Sequence, residues 1–453
     1  MKEDDRPSMS HRTASENRLK SAVPSAREES AAGERTDSAS PSPASLWDQV
    51  LERSNLQRAL KQVRQNKGAP GIDGMRVDDL PGFLRQNWPA IRAQLEAGRY
   101  CPQPVRRVRI PKADGRERLL GIPTVLDRFI QQAIAQVVSA QWDPHFHPRS
   151  YGFRPGKSAH QALKRLQADI RAGRQWTVDL DLAAFFDRVN HDRLMHRLKT
   201  HVPEPRLLRL IGRFLKAGVM DAGQVQATTA GVPQGGPLSP VLANVVLDEL
   251  DWELDRRGHR FVRYADDCQI LVKSQRAGER VMSSIQRFVE DSLRLEVNTR
   301  KSAVDRPWNR QFLGLTVTRG DHRLKVSPKA LDRLKTRLRV LTRRTRGHRL
   351  ADVVADLRDY LLGWKAYFGI AEVPSPLREI DKWLRRRLRC YLWKQWSRSG
   401  YRQLRRLGVS VREAWQTSKS AHGPWRLSHT PALYRALPAR YFADLGLPSL
   451  VAR

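Results

Sequence analysis

Apolar and polar positions change period several times along this chain, and the changes divide it. Up to about residue 45 the segment is rich in Ser, Ala, Glu, Arg and Pro, with only Leu19 and Val23 as sizeable aliphatics. Such a composition cannot bury enough apolar surface to offset ordering, so a disordered tail is expected over 1–45. Leu46, Val50, Leu56, Leu60 and Val63 then recur at helical spacing and open an N-terminal region over 46–105. Two β-prone runs around Ala113-Asp114-Gly115 predict a hairpin lined with basic side chains. Further on, Val178, Leu180 and Leu182 alternate with Asp179 and Asp181, a strand with both carboxylates on one face. Residues 261–272 place two apolar runs around an acidic corner, which predicts a hairpin with Asp266 and Asp267 at its tip. Residues 230–240 are too rich in Gly and Pro for a helix interior, and a helix with Leu242, Val245, Val246 and Leu250 on one face should follow.

After Ser327 the period is helical throughout. Ser327-Pro328 is a cap followed by proline at the first helical position, and Leu331, Leu334, Leu338 and Leu341 recur at three and four until Gly347. A second face runs from Val353 to Trp364, and a third from Leu377 through Trp383 to Leu388. Three amphipathic helices over 327–398 form a small bundle, followed by a basic region over 399–453.

Charge narrows the partners. The formal net charge is +35, and the first 45 residues hold 7 Lys/Arg against 8 Asp/Glu, so the excess belongs to the folded part. From Lys329 onward there are 28 Lys/Arg against 9 Asp/Glu, with six tryptophans, a mixture suited to phosphate contact and base stacking. No run approaches 18 apolar residues, which favours nucleic acid over membrane as the polyanionic partner. Three scattered cysteines, Cys101, Cys268 and Cys390, make no CxxC pair, and no secretory signal is visible, so a reducing cytoplasm is expected.

The chemistry concentrates in the acidic hairpin. Two adjacent carboxylates repel by roughly 4 kcal/mol at about 4 Å and an effective dielectric near 20, so a site that keeps both ionised supplies cations. An acidic strand beside an acidic hairpin is the layout of a two-metal nucleotidyl-transfer site. Two other readings are set aside: Gly156-Lys157-Ser158 follows Gly152 by too few residues for a phosphate loop, and Asp143, His145 and His147 lack a fourth ligand.

Tyr264-Ala265-Asp266-Asp267 after such a strand resembles the palm of a reverse transcriptase. The flanking segments, Ser150-Tyr151-Gly152-Phe153-Arg154-Pro155 with Ala159-His160-Gln161-Ala162, the 66–74 glycine-rich loop, Pro233-Gln234-Gly235 and Leu295 to Ser302, resemble the reverse transcriptase/maturases encoded by group II introns. The resemblance implies an α+β right-hand polymerase: fingers and an antiparallel palm sheet over 106–318, closed by a primer-supporting strand at 311–315, then a helical thumb. It implies two Mg²⁺ ions, replaceable by Mn²⁺, at Asp181, Asp266 and Asp267 with the Leu182 carbonyl. Asp181 is preferred to Asp179 because the family's metal-binding Asp precedes an aromatic by four residues, here Phe185, which would crowd a ribose 2′-hydroxyl. It assigns Lys112, Arg118, Gln234 and Lys301 to dNTP binding. The implied partners are group II intron RNA, an RNA template with a DNA primer, target DNA and dNTPs, in a nucleoid-associated protein whose homodimerisation is left open. No His-Asn-His nuclease module follows, so second-strand cleavage is not expected. A non-catalytic RNA-binding splicing factor and a retron or defence-type reverse transcriptase are the competing readings.

Overall fold

The computed structural model describes residues 45–111 and 117–451. The tail expected over 1–45, Ser45 apart, and the fingertip at 112–116 with Lys112 lie outside the described residues. Ser45 accepts a hydrogen bond from the Asp48 N–H and caps the helix Leu46–Leu51, so order begins where the apolar spacing does. The helices Arg53–Asn66 and Leu80–Glu96 follow. Their Ala59, Val63, Leu80 and Leu95 are buried in one core with the fingers helix Val125–Trp142 and the palm.

Ten strands are formed among the described residues. In chain order they are β1 (Val105–Pro111), β2 (Glu117–Ile122), β3 (Trp176–Leu180), β4 (Val219–Asp221), β5 (Gln224–Gln226), β6 (Arg260–Tyr264), β7 (Asp267–Val272), β8 (Ala303–Asp305), β9 (Leu315–Val317) and β10 (Leu324–Val326). The fingers sheet runs β2-β1-β4-β5, with Arg106 opposite Ile122 across the β1–β2 hairpin. The palm sheet runs β6-β7-β3-β8 and is antiparallel throughout. Its side chains divide by period two: Phe261 and Ile270 enter the main core, whereas Val262 and Leu271 pack on Leu163, Leu166 and Ile170 of the helix Ala159–Arg171. The helix Ser239–Arg256 buries Leu242, Val245, Val246 and Leu250, as their spacing predicts.

One expected palm strand is instead a turn. Leu313 and Gly314 have φ of +52° and +78°, and Phe312 and Leu315 exchange backbone hydrogen bonds of 2.8 and 3.0 Å. The chain therefore reverses within 311–315. Strand β9 begins only at Leu315 and pairs with β10 in a separate two-stranded ribbon.

The thumb consists of Pro328–Leu341, Leu350–Phe368 and Ser375–Trp396, the first capped by Ser327 Oγ. This first helix ends at Leu341, short of Gly347, because Arg387 satisfies its terminus. The guanidinium donates to Thr342 Oγ1 at 2.6 Å and to the carbonyls of Arg339 and Thr342 at 3.3 Å. The run Arg385-Arg386-Arg387 is thus no uniformly solvated face, since Arg386 also lies 4.1 Å above the Trp425 ring. Short helices between Gly400 and Asp444 contribute Leu404, Leu427, Leu433 and Phe442 to the thumb's core, so packing continues across 398 and 399. No described helix is long and apolar enough to cross a membrane.

Candidate active site

The acidic corner is a two-residue hairpin turn. Tyr264 pairs with Asp267, leaving Ala265 and Asp266 to turn the chain, with Ala265 in the left-handed region at φ +56°. A residue bearing a Cβ is strained there, so the surroundings must hold it. Arg263 does so from below. It is fully buried and uses all five donors: two on Asp251 at 2.5 and 2.7 Å, and one each on Ser150 Oγ at 2.8 Å, Asn244 Oδ1 at 3.0 Å and the Ala265 carbonyl at 2.9 Å. Asp251 and Asn244 come from the helix Ser239–Arg256, and Asn244 Nδ2 also donates to the Gly152 carbonyl at 2.8 Å. Gly152 is required by contact, because a Cβ there would stand 2.3 Å from the Ala265 nitrogen. The Ser150-to-Pro155 segment therefore braces the turn.

Asp179 and Asp181 share a face but not a role. Asp179 accepts from Arg310 Nη2 at 2.5 Å and from Gln269, and burial pushes its carboxyl up against that pairing. Asp181 lies just past β3, where Lys301 Nζ stands 3.1 and 3.3 Å from its two oxygens and Asn298 Nδ2 donates at 3.0 Å. Of the two, Asp181 is the one not consumed by a guanidinium. Burial, then the fields of Asp266, Asp179 and Asp181, push the Asp267 carboxyl up to about 6, with Lys301 opposing. The acids thus converge electrostatically. Among the described residues no three His, Cys, Asp or Glu side chains close into a metal cage. All donors are nonetheless carboxylate oxygens, the set that hard divalent cations take, and the Lys301 ammonium occupies a cation's position at Asp181.

A cavity of about 740 Å³ opens beside the turn, walled by Asp266, Gln234, Gly235, Phe186 and Arg128, with Gly68 of the glycine-rich loop. Arg128 and Arg106 tie that loop down through the Ala69 and Pro70 carbonyls, at 2.7 Å each. The Gln234 carbonyl accepts from Gly121 N–H at 2.8 Å, and a Cβ on Gly235 would stand 2.7 Å from the Gly121 carbonyl, so the loop sits directly on β2. Phe185 does not reach the cavity. Left-handed Ala184 starts a short helix that turns Phe185 into the core, whereas Phe186 lines the cavity, so the aromatic four residues after Asp181 is not the one exposed there. Leu182 bridges Val297 through bonds made by Ala183 N–H and the Asp181 carbonyl, neither of which uses the Leu182 carbonyl. Arg118 lies opposite Ile110 on β2, and its side chain, like all of Lys112, is outside the described residues. Sequence reading missed Arg263 with Asp251, and also Arg128, whose buried Nε has no partner in this structure.

Residues 110–317 match the family of reverse transcriptases (RNA-dependent DNA polymerases), and residues 331–408 match the group II intron maturase-specific domain. The chain is 32% identical over 289 residues to protein YkfC of Escherichia coli (strain K12), covering 55% of this chain and 76% of that protein. It is 39% identical over 207 residues to the group II intron-encoded protein LtrA of Lactococcus lactis subsp. cremoris, covering 46% of this chain and 34% of LtrA. Among solved structures, a chain of a partial Cas6-RT-Cas1–Cas2 complex is 27% identical with a TM-score of 0.36, covering 55% of this chain and 43% of that one. The chain belongs to the reverse transcriptase/maturases of group II introns. Its catalytic class is RNA-directed DNA polymerisation, a class that uses divalent metal, and its maturase domain implies an RNA partner.

Proposed function

We propose that Asp181, Asp266 and Asp267 hold two Mg²⁺ ions, with the Leu182 carbonyl as a further ligand, and that the chain extends a DNA primer on an RNA template there. The observation that carries this is the register of β3 and β7, which sets Leu180 opposite Cys268 and so brings Asp181 beside the turn of Asp266 and Asp267, with Asp266 on the cavity wall. When bound, the metal lowers the pKa of the attacking 3′-hydroxyl and neutralises charge on the leaving pyrophosphate. The protein's part is placement. Arg263 fixes the turn, so Asp266 and Asp267 do not reorganise as charge builds. Arg310 neutralises Asp179 and leaves Asp181 to the ligand. Lys301, which now pairs with Asp181, would be available to the triphosphate or to protonate pyrophosphate once a metal held that carboxylate. As the family resemblance implies, Lys112 and Arg118 would bind the triphosphate, and the Gln234-Gly235 loop would lie under the new base pair. Phe186, rather than Phe185, faces the ribose.

The helical region from 327 onward would bind the host intron RNA for splicing, with 399–453 contacting target DNA or RNA. Incorporation of dTTP on poly-rA/oligo-dT in Mg²⁺ tests the polymerase reading, and a chain inactive in Mg²⁺ and Mn²⁺ alike would overturn it.

A further inference from the structure

We propose that the end of the palm opposite the carboxylates carries a second RNA-binding site, a basic cavity that takes the phosphodiester backbone of structured RNA. The proposal rests on the chain's having an RNA partner and is independent of the polymerase chemistry. The cavity, about 860 Å³, lies where β7 ends at Val272 and Lys273. Five strand residues separate that end from Asp267, about 17 Å, too far to serve the reacting nucleotide. Its walls carry Arg174, His259, Lys273, Arg276, Arg280 and Arg287. The last three stand at intervals of four and seven on the helix Gln275–Arg287, which places them on one stripe.

No carboxylate among the described residues pairs with any of the five Arg and Lys groups. Elsewhere this chain pairs its arginines freely, as Arg107 and Arg109 do on Asp221, or Arg256 and Arg257 on Glu253. The acid on the wall, Glu279, is engaged by Gln275 Nε2 at 3.0 Å. Like charges gathered around one concavity raise the local potential and concentrate a polyanion there. From Arg276 to Arg287 the row spans about 16 Å, which matches a chain of phosphates and not a single one.

The test uses the full chain and the triple variant R276Q/R280Q/R287Q, with a fluorescein-labelled hairpin RNA titrated across a salt series. Low-salt affinity should fall about tenfold or more, and the affinity lost between about 50 and about 200 mM salt should shrink by about 40-fold, the share of three released counterions. Extension of poly-rA/oligo-dT at saturation should stay at the parent rate. An unchanged affinity and salt slope would overturn the proposal. Should the variant misfold, acylation of Lys273 in the unaltered chain, read by mass spectrometry, decides instead. Hairpin RNA should slow it, whereas polyglutamate and inorganic phosphate should not. Equal protection by polyglutamate would assign the cavity to an acidic protein, and absence of protection by RNA would likewise contradict the site. Failure of the polymerase reading would appear separately, as an unaltered chain that binds RNA but does not extend.

Discussion

Replacing Arg263 by Lys keeps the charge and removes the fork, and the structure gives the cost. The guanidinium makes five hydrogen bonds, two of them to a carboxylate as fully buried as itself. An ammonium has three donors and cannot span Asp251, Ser150, Asn244 and Ala265 together, so at least two buried acceptors lose their partners. Each buried acceptor left unsatisfied costs about 1–3 kcal/mol, so the two together cost about 3–5 kcal/mol. For a folded unit of about 400 residues that lowers Tm by about 4–6 °C, read by scanning fluorimetry at one heating rate. The Ala265 turn loses its tie at the same time, and a catalytic group displaced by about 1 Å costs about 100-fold in rate. R263K should therefore lose both stability and primer extension. Replacing both partners, R263M/D251L, should restore much of the Tm, because two apolar groups leave no charge unpaired, while extension stays low. An R263K protein with parental Tm and rate would refute the bracing role, and recovery of full rate in the double variant would show that the pair contributes stability alone.

Asp267→Asn tests the electrostatics. Asp267 sits at about 6, above an unfolded value of about 3.9, so folding disfavours its ionised form. The penalty is absent below pH about 4, grows between about 4 and 6, and is complete above 6. Solvent screening limits it to about 1 kcal/mol, so in EDTA the variant should melt about 1 °C higher than the parent at pH 7.5 and equal to it at pH 4; a gain confined to low pH would contradict this. Phe185→Ala should cost about 3–5 kcal/mol, whereas Phe186→Ala should spare stability and raise ribonucleotide incorporation about tenfold or more; the opposite pattern would return the ribose-facing role to Phe185. Gly152→Ala should push the Ala265 backbone and cut extension about 100-fold with RNA affinity unchanged, and a parental rate would show that the turn tolerates displacement.

The acidic hairpin was legible because two β-prone runs flank charges that neither run could bury, and the thumb because its leucines keep one period over whole helices. Arg263 was not, since an arginine between Val262 and Tyr264 reads as an exposed strand position until Asp251 arrives from a helix twelve residues upstream. Spacing to Asp181 could not separate Phe185 from Phe186, because the left-handed Ala184 between them and the strand resets which side chain points outward. The strand that the family resemblance implied over 311–315 is a turn for the same kind of reason: positive φ at Leu313 and Gly314 reverses the chain there. The partners of Arg386 and Arg387 were not legible either, because they are helix-end carbonyls and a ring face, which no charge count reveals.

Incorporation of dTTP on poly-rA/oligo-dT by the chains carrying D181A, D266A or D267A, with affinity for a hairpin RNA measured on the same preparations, bears most directly on the three-carboxylate site. Each substitution should reduce extension by about 100-fold or more while leaving RNA affinity near the parent's. Extension at the parental rate in any one of the three would remove that residue from the metal site.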